Sequence, residues 1–422
     1  MTESDNGASV TSYQAREVRR ARRVALVFGA LALLAVAASQ MVGAETAQFS
    51  LWIAKSGGDA ATVAFSVSTS WLLTAAVLGL LSTRVWRGGA SVRWHRYLAI
   101  VAPLIVFALL ATILAGVPAN LNRLVTGSLA YAGPVAIGAL AGIISERSGV
   151  LNIAIEGKFL LGAAAGTLAS SILGVAIAGP IAGASMGSLM GFLLAWLGLR
   201  FKVDQIIVGV VINIGAAGVT DFLFLRVFSR YPELNLPVSI GDVRIPLLAD
   251  LPIIGPLIFV GSPYLYGAVA LVLFFSYMLY RTTWGLRLRA AGEHPSAAGT
   301  VGVDVIALRY RAMLIAGALA GLAGSSLALS GTGGFAMGIS AGRGFIALAA
   351  VIFGAWNPIA AFGAALVFAF ADSVQSLLSI LGVPIPPQIL NSVPYIVTIV
   401  VVAGLVGRVR GPAAAGQPYQ QG

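Results

Sequence analysis

The chain has 422 residues, of which 58% are hydrophobic and only 10% are charged, and its mean hydropathy is +0.93. Soluble domains carry about 25% charged residues, so this composition excludes an ordinary soluble protein. The sequence has no cysteine and two histidines. Disulfides, thiolate catalysis and cysteine metal sites are therefore excluded, and a histidine metal cluster is not expected.

Apolar runs long enough to cross a bilayer, which takes about 20 residues, recur along the chain. They lie at 24–44, 60–82, 97–117, 129–145, 151–174, 176–198, 204–227, 263–281, 309–330, 345–381 and 389–407. The run at 345–381 is too long for one span, and Asn357-Pro358 interrupts it, where proline cannot continue a helix without losing a backbone hydrogen bond. We therefore predict an all-α polytopic membrane protein with ten to twelve transmembrane segments, some of them broken helices.

The basic residues predict the orientation of these segments. If the N-terminus is inside, 20 of the 26 Lys and Arg residues fall on the inner side. The other six are Lys55, Arg123, Arg226, Arg230, Arg244 and Arg343. This bias obeys the positive-inside rule. The net charge of +11 is therefore a topology signal and not a nucleic-acid-binding surface, and both termini are predicted to be cytoplasmic.

The sequence predicts four parts. Residues 1–23 form a cytoplasmic basic tail, 24–117 additional N-terminal transmembrane helices, 121–407 a transport core, and 408–422 a cytoplasmic C-terminal tail. The polar and small residues of 412–422 predict disorder in that last tail.

Regularly spaced glycines predict close helix packing. Gly179, Gly183, Gly187 and Gly191 recur every four residues and share one helix face, which lets a second helix approach closely. The letters GALAG occur twice, starting at 138 and at 317, in helices predicted to run in opposite directions. This indicates an inverted repeat with halves near 121–227 and 263–407, which would place a solute path at the repeat interface.

No catalytic motif is present. A Walker A loop ends in Gly-Lys followed by Ser or Thr, whereas Gly157-Lys158 is followed by Phe159. The letters of a hydrolase elbow occur around Ser185, but in an apolar glycine helix without a nearby histidine. We expect no enzyme active site, no cofactor and no bound metal.

Polar side chains inside apolar runs are the candidates for a solute path, because such groups are costly in lipid. The predicted set is Asn152, Glu156, Asn213, Asp221, Asp372 and Gln375. Asp372 and Gln375 lie one helical turn apart on the same face. Each group either contacts a polar solute or holds helices together. Arg343, just outside a helix start, is expected to pair with a carboxylate, and Asp204 with the nearby Lys202.

The stretch 284–324 is a charged loop, punctuated by Gly and Pro, between two apolar runs. On its residues alone it is either a docking segment for a soluble partner or an ordinary solvated loop. Its letters RAAGEHPSAAGTVGVDV, together with ISERSGVLNIAIEGKFLLGA at 144–163 and SAGRGFIALAAVIFGAWNP at 340–358, resemble permease subunits of ABC importers. More narrowly, they resemble the permeases for nucleosides and simple sugars that work with basic-membrane-protein-type binding lipoproteins.

This resemblance implies a nucleoside importer in the cell membrane. The ATPase-coupling residues would be Glu293, His294, Pro295, Ala297, Ala298 and Gly302. The implied partners are a cytoplasmic ABC ATPase that binds the ATP, a second permease subunit and an extracytoplasmic substrate-binding lipoprotein. Glu156, in the family's broken-helix motif, would cap a half-helix or accept bonds from Asn152 and nearby amides. The alternatives are the same machine for simple sugars or branched-chain amino acids, or an ion-coupled secondary transporter.

Overall fold

A computed structural model describes most of the chain. The described residues are 3–42, 45–50, 62–89, 97–116, 119–251, 254–383, 386, 388–390, 392, 395 and 410–419. The chain divides into two compact units, Met1–Arg123 and Leu124–Gly422. The last apolar run, 389–407, lies almost wholly outside the described residues.

The first unit combines three helices with a small sheet. Its elements are α1 (Glu3–Met41), β1 (Thr46–Ser50), β2 (Thr62–Ser66), α2 (Val67–Gly88), α3 (Leu98–Ile113) and β3 (Ala119–Asn120). Small residues of α1, including Ala21 and Ala25, pack with Leu78 and Val85 of α2 in a buried cluster. The apolar stripe of each helix is thereby covered by the other.

The sheet of the first unit corrects one prediction. Strand β1 pairs antiparallel with β2 and parallel with β3. The predicted helical run at 60–82 is therefore wrong at its start, where residues 62–66 form a strand. The rings of Phe49, Phe65 and Phe107 cluster on this sheet, with the centroids of Phe65 and Phe107 5.3 Å apart. Thr62, Val63 and Phe65 are residue types that favour strands, a local preference that an average over a long apolar run conceals.

The second unit is helical apart from one short strand pair. Its helices are α4 (Leu121–Arg147, largely in this unit), α5 (Ile155–Leu173), α6 (Ala178–Ala195), α7 (Gln205–Leu223), α8 (Ile254–Ile258), α9 (Pro263–Arg281), α10 (Thr283–Glu293), α11 (Pro295–Thr300), α12 (Val305–Ser326), α13 (Arg343–Phe353) and α14 (Pro358–Ile380). Strands β4 (Val243–Arg244) and β5 (Val260–Gly261) pair antiparallel. Asp204, instead of pairing with Lys202, caps α7 by accepting from the amides of Ile206 and Ile207.

Within the described residues, seven helices are long and apolar enough to cross a membrane: α1, α4, α6, α7, α9, α12 and α14, some extended by a π turn. Helices α2, α3 and α5 correspond to three more predicted runs, and α13 forms the first half of the run at 345–381. The predicted break near Asn357 is confirmed, since α13 ends at Phe353 and α14 begins at Pro358, with the Asn357 side chain capping its first amides. The polytopic all-α prediction is therefore confirmed.

The glycine face of α6 packs against α12, as its spacing predicts. A Cβ at Gly187 would lie 2.2 Å from the carbonyl oxygen of Gly317, and one at Gly191 would lie 2.2 Å from that of Met313. A Cβ at Gly321, in turn, would lie 2.0 Å from the oxygen of Gly183. The two backbones are in direct contact, so only glycine fits along this seam.

The loops of the second unit collect at two opposite ends. At the first, which we call the Arg147 end, Arg147 bonds the carbonyl of Trp356, and the amide of Leu151 bonds Gln205. At the second, the Asn235 end, Asn235 bonds both backbone groups of Phe335. Successive loops therefore lie at alternate ends, as expected if successive helices cross from the Arg147 end to the Asn235 end and back.

The C-terminal residues correct another expectation. Residues 410–419, predicted to be disordered from 412 onward, pack onto the Arg147 end. The amide of Ala414 donates to the carbonyl of Gly292 (2.9 Å), and that of Gly416 donates to the carbonyl of Gly149 (3.1 Å). A composition of polar and small residues predicts disorder only where the backbone lacks partners. Here the backbone of the segment is hydrogen-bonded to the rest of the second unit.

Candidate functional site

An extended segment at 150–154 separates α4 from α5. Buried backbone groups need hydrogen-bond partners within the protein. Leu151 donates its amide to Gln205 Oε1 (2.8 Å). Asn213 Nδ2 donates to the carbonyl of Ile153 (3.0 Å), and its Oδ1 accepts from the amide of Gly157 (2.8 Å). Two amide side chains of α7, one of them a predicted path residue, therefore stabilise the broken helix.

Beside this break lies a buried lysine. Lys158 and Asn152 are both fully buried, and Lys158 Nζ donates to Asn152 Oδ1 (2.6 Å). Asn152 Nδ2 has no partner among the described atoms. In the predicted topology, Lys158 is one of the 20 basic residues assigned to the inner side. Its position two residues after Glu156 in an apolar run is the signal that could have identified it.

Glu156 caps the half-helix α13. Its Oε1 accepts from the Ser340 hydroxyl (2.5 Å) and the Gly342 amide (3.0 Å), and its Oε2 accepts from the Gly344 amide (2.7 Å). A helix N-terminus presents unpaired amides and a positive dipole end, which a carboxylate satisfies. A Cβ at Gly344 would lie 2.5 Å from Cα of Glu156, so only glycine permits this approach.

Next to the cap, Arg343 pairs with Asp372. Arg343 Nε donates to Asp372 Oδ2 (2.8 Å), and only 16% and 9% of the two side chains is exposed. The guanidinium carbon also lies 4.7 Å from the ring centroid of Tyr131. Arg343 thus has the carboxylate partner predicted for it, and this pair joins α13 to α14 beside α4.

The other two predicted path residues take no part in this ion pair. Gln375 Nε2 donates to Ser379 Oγ (3.2 Å), one turn further along α14. Asp221 is partly exposed on α7, and the described residues form no hydrogen bond or ion pair with its carboxylate. The structure brings the Glu156 cap and the Arg343–Asp372 pair together at α13, with Asn152 and Asn213 beside the break, and leaves Asp221 outside this group.

The predicted docking segment is ordered as two short helices. His294 joins α10 to α11, and Pro295 is the first residue of α11. Ala297 is exposed and Ala298 is buried, whereas Val301 at the tip is 80% exposed. Gly302 has φ +87°, a left-handed conformation that favours glycine and reverses the chain into α12. The expected short helix of small residues is therefore present.

Glu293 connects this segment to the rest of the Arg147 end. Its Oε1 lies 3.8 Å from Arg147 Nη1, and its Oε2 accepts from the amide of Ala413 (3.2 Å). A Cβ at Gly292 would lie 2.3 Å from the carbonyl oxygen of Arg147. The end of α10 therefore packs directly on the end of α4.

Comparison with known proteins identifies the family. The family model described as branched-chain amino acid transport system / permease component matches residues 124–406. The chain belongs to this permease family. The matched range begins at the first residue of the second unit and contains the broken helices and the α10–α11 segment.

Curated relatives agree with the family. The chain is 37% identical over 312 residues to the guanosine ABC transporter permease protein NupQ of Bacillus subtilis, covering 72% of this chain and 98% of that protein. It is 35% identical over 318 residues to the nucleoside ABC transporter permease protein NupC of Lactococcus lactis, covering 71% and 97%. A putative glucose ABC transporter permease protein of Haloferax volcanii is 30% identical, covering 67% and 92%. No solved structure matches the chain.

These findings define the coarse activity. The relatives are permease proteins of ABC transporters, and their names describe transport and no reaction. With the helices described above, the chain is a multi-pass membrane permease. Transporters of this class work with ATPase and substrate-binding components in general.

Proposed function

We propose that the chain is a permease subunit of an ABC importer that carries nucleosides across the cell membrane. The observation that carries this proposal is the 35–37% identity to a guanosine and a nucleoside permease over 97–98% of their lengths. Both termini are cytoplasmic in this proposal, which places the Arg147 end inside, where 20 of the 26 basic residues are assigned.

The partners in this proposal are those that the family implies. A separate cytoplasmic ATPase binds the ATP and docks on the α10–α11 segment. Two apolar residues are exposed there, Val301 by 80% and Leu286 by 61%. A second permease subunit completes the membrane part, and an extracytoplasmic binding lipoprotein delivers the solute to the Asn235 end. The permease has no cofactor of its own.

The mechanism couples the α10–α11 segment to the broken helices. ATP-driven closure of the ATPases pushes on α11, and α10 passes the displacement to the end of α4 through Glu293 and Gly292. ATP binding must favour one arrangement of the permeases over the other for transport to result. The half-helix α13, held by Glu156 and Asp372, is the element that changes its exposure to the two sides.

Uptake measurements test the function and the cargo together. Cells that express the complete transporter should accumulate tritiated guanosine, and unlabelled nucleosides should compete with it. Glucose should compete only if the sugar alternative holds, which the putative glucose relative supports. Leucine should compete only if the cargo is that of the family description. Absence of nucleoside uptake with uptake of either alternative would overturn the nucleoside assignment.

A second measurement separates the ABC importer from an ion-coupled transporter. An ATPase partner that binds but does not hydrolyse ATP should abolish uptake, whereas a protonophore should leave uptake into ATP-containing proteoliposomes unchanged. The opposite pattern would assign the chain to secondary transport.

A further inference from the structure

Residues 410–419, which we call the C-terminal strap, contact every element of the Arg147 end that the coupling mechanism uses. Its backbone donates to Gly292 at the end of α10 and to Gly149 after α4, at 2.9 and 3.1 Å. The amide of Ala413 donates to Glu293 Oε2 (3.2 Å). The strap thus bonds both sides of the α10–α4 contact.

The last described residue of the strap reaches α11 and α12 together. The guanidinium carbon of Arg309, on α12, lies 5.9 Å from the ring centroid of Tyr419. The Tyr419 hydroxyl is close enough to α11 that a Cβ at Gly299 would lie 2.5 Å from it. The side chain of Tyr419 therefore lies between α11, the docking helix, and α12.

Arg309 fixes the position of the Tyr419 side chain. It is fully buried, its Nε donates to the carbonyl of Ser148 (3.1 Å), and its Nη1 donates to the carbonyl of Gln417 (3.2 Å). A buried guanidinium needs such acceptors, because burying an unsatisfied charge is costly. Without the strap, Arg309 would keep the Ser148 acceptor but neither the Gln417 carbonyl nor the Tyr419 ring.

The opposite end of the strap lies on the turn between α13 and α14. A Cβ at Gly411 would lie 3.0 Å from the ring of Trp356. The indole of Trp356 donates to Glu146 Oε2 (2.6 Å), and its carbonyl accepts from Arg147. One continuous stretch of ten residues therefore runs from the base of the half-helix to the tip of the docking segment.

From this geometry we propose that the C-terminal strap is part of the coupling apparatus and that Tyr419 is a positioning residue for α11. A six-residue helix that buries only Ala298 has few contacts of its own, so it would yield when an ATPase pushes on it, and the push would not reach α4 and α13. The strap stiffens that connection from the outside. This inference rests on the proposed function, because it assumes that an ATPase docks on α11.

The test compares Tyr419→Ala with Tyr419→Phe in the complete transporter in proteoliposomes. Uptake of tritiated guanosine and ATP hydrolysis are measured together. Tyr419→Ala removes the ring beside Arg309 and the hydroxyl beside Gly299, so the ATP hydrolysed per nucleoside imported should rise roughly tenfold. Tyr419→Phe keeps the ring over Arg309 and should restore most of the ratio. The matched control is Tyr277→Ala, which removes a 64% exposed tyrosine from α9 and should leave the ratio unchanged.

An unchanged ratio in Tyr419→Ala, or its disappearance from the membrane with no coupling defect in the remaining fraction, would overturn the proposal. Failure of the proposed function has a different signature, since the wild type itself would then import no nucleoside. Because the chain has no cysteine, Glu293→Cys combined with Ala413→Cys also tests the geometry without transport. A short bifunctional thiol reagent should link the two in native membranes, and absence of the link would refute the packed strap.

Discussion

At the residue scale, the ion pair between Arg343 and Asp372 is the feature on which the proposed path depends most. Both side chains are largely buried, with exposures of 16% and 9%, so little water reaches the two charges. Each is stable there because the other is present, and Tyr131 adds its ring face. A nucleoside that replaces water beside this pair would find a carboxylate acceptor and an aromatic face together.

Breaking the pair should therefore cost more than removing it. Asp372→Ala leaves the Arg343 charge buried and unpaired, at a cost of about 3–5 kcal/mol. We expect membrane abundance and uptake both to fall. Combining Arg343→Met with Asp372→Leu should restore abundance without restoring uptake, as measured by fluorescence of a fused reporter and by tritiated guanosine accumulation. Normal uptake by the double variant would show that the solute path lies elsewhere.

The sequence can place these charges but not their partners. Arg343 stands before a helix start, so a carboxylate partner is predictable, yet its identity depends on how α13 folds back beside α14. Glu156 is expected to cap a half-helix. The amides that it accepts from, those of Gly342 and Gly344, depend on the same folding back of α13. The pairing predicted for Asp204 is wrong because the cap position before an apolar helix outweighs the nearby Lys202. The cap at Asp204 depends only on the residues that follow it, whereas the partners of Arg343 and Glu156 depend on how the chain folds back.

At the element scale, the α6–α12 seam shows why glycine spacing is informative. Where lipid offers no hydrophobic drive, helices associate by close backbone contact, which only small residues permit. The four-residue repeat in α6 identifies the face, and the backbones of Gly317 and Gly321 lie against it. The C-terminal strap cannot be inferred in this way, because two of its contacts are to the backbone carbonyls of Gly292 and Gly149, which any sequence supplies.

Adding a methyl group to this seam should destabilise the protein. Gly187→Ala places a Cβ 2.2 Å from the Gly317 oxygen, so the two helices must separate. Overpacking of this kind costs about 1–3 kcal/mol. We expect a lower thermal midpoint in detergent, followed by fluorescence-detected size exclusion. The matched control is Gly215→Ala on α7, where no heavy atom lies within 4 Å of the added Cβ and the midpoint should not change.

The α10–α11 segment makes a separate prediction about coupling. Ala297 is exposed on α11 and Gly302 needs its left-handed φ of +87°. Ala297→Trp should block the docking surface and Gly302→Val should displace the tip, so both should hydrolyse ATP with little import. Glu293→Lys should act similarly by repelling Arg147. Membrane insertion should be normal in all three, and wild-type uptake would remove the segment from the mechanism.

At the scale of the whole molecule, two helices of the second unit carry the same five-letter motif. Helix α4 carries GALAG and leads to the break at 150–154, and α12 carries the same letters and leads to the half-helix α13. The two helices run in opposite directions between the Arg147 and Asn235 ends. This correspondence supports the inverted repeat, which stays a prediction.

The orientation of these two ends can be measured directly, because the chain contains no cysteine. If the basic residues set the topology, the Arg147 end faces the cytoplasm. A cysteine replacing the exposed Ala297 should then resist an impermeant maleimide in intact cells and react after permeabilisation. One replacing the exposed Gly241, in the loop before α8, should react in both conditions. Labelling of position 297 from outside would reverse the topology. It would also place the docking segment where no cytoplasmic ATPase can reach it, so the coupling mechanism would fail together with the orientation.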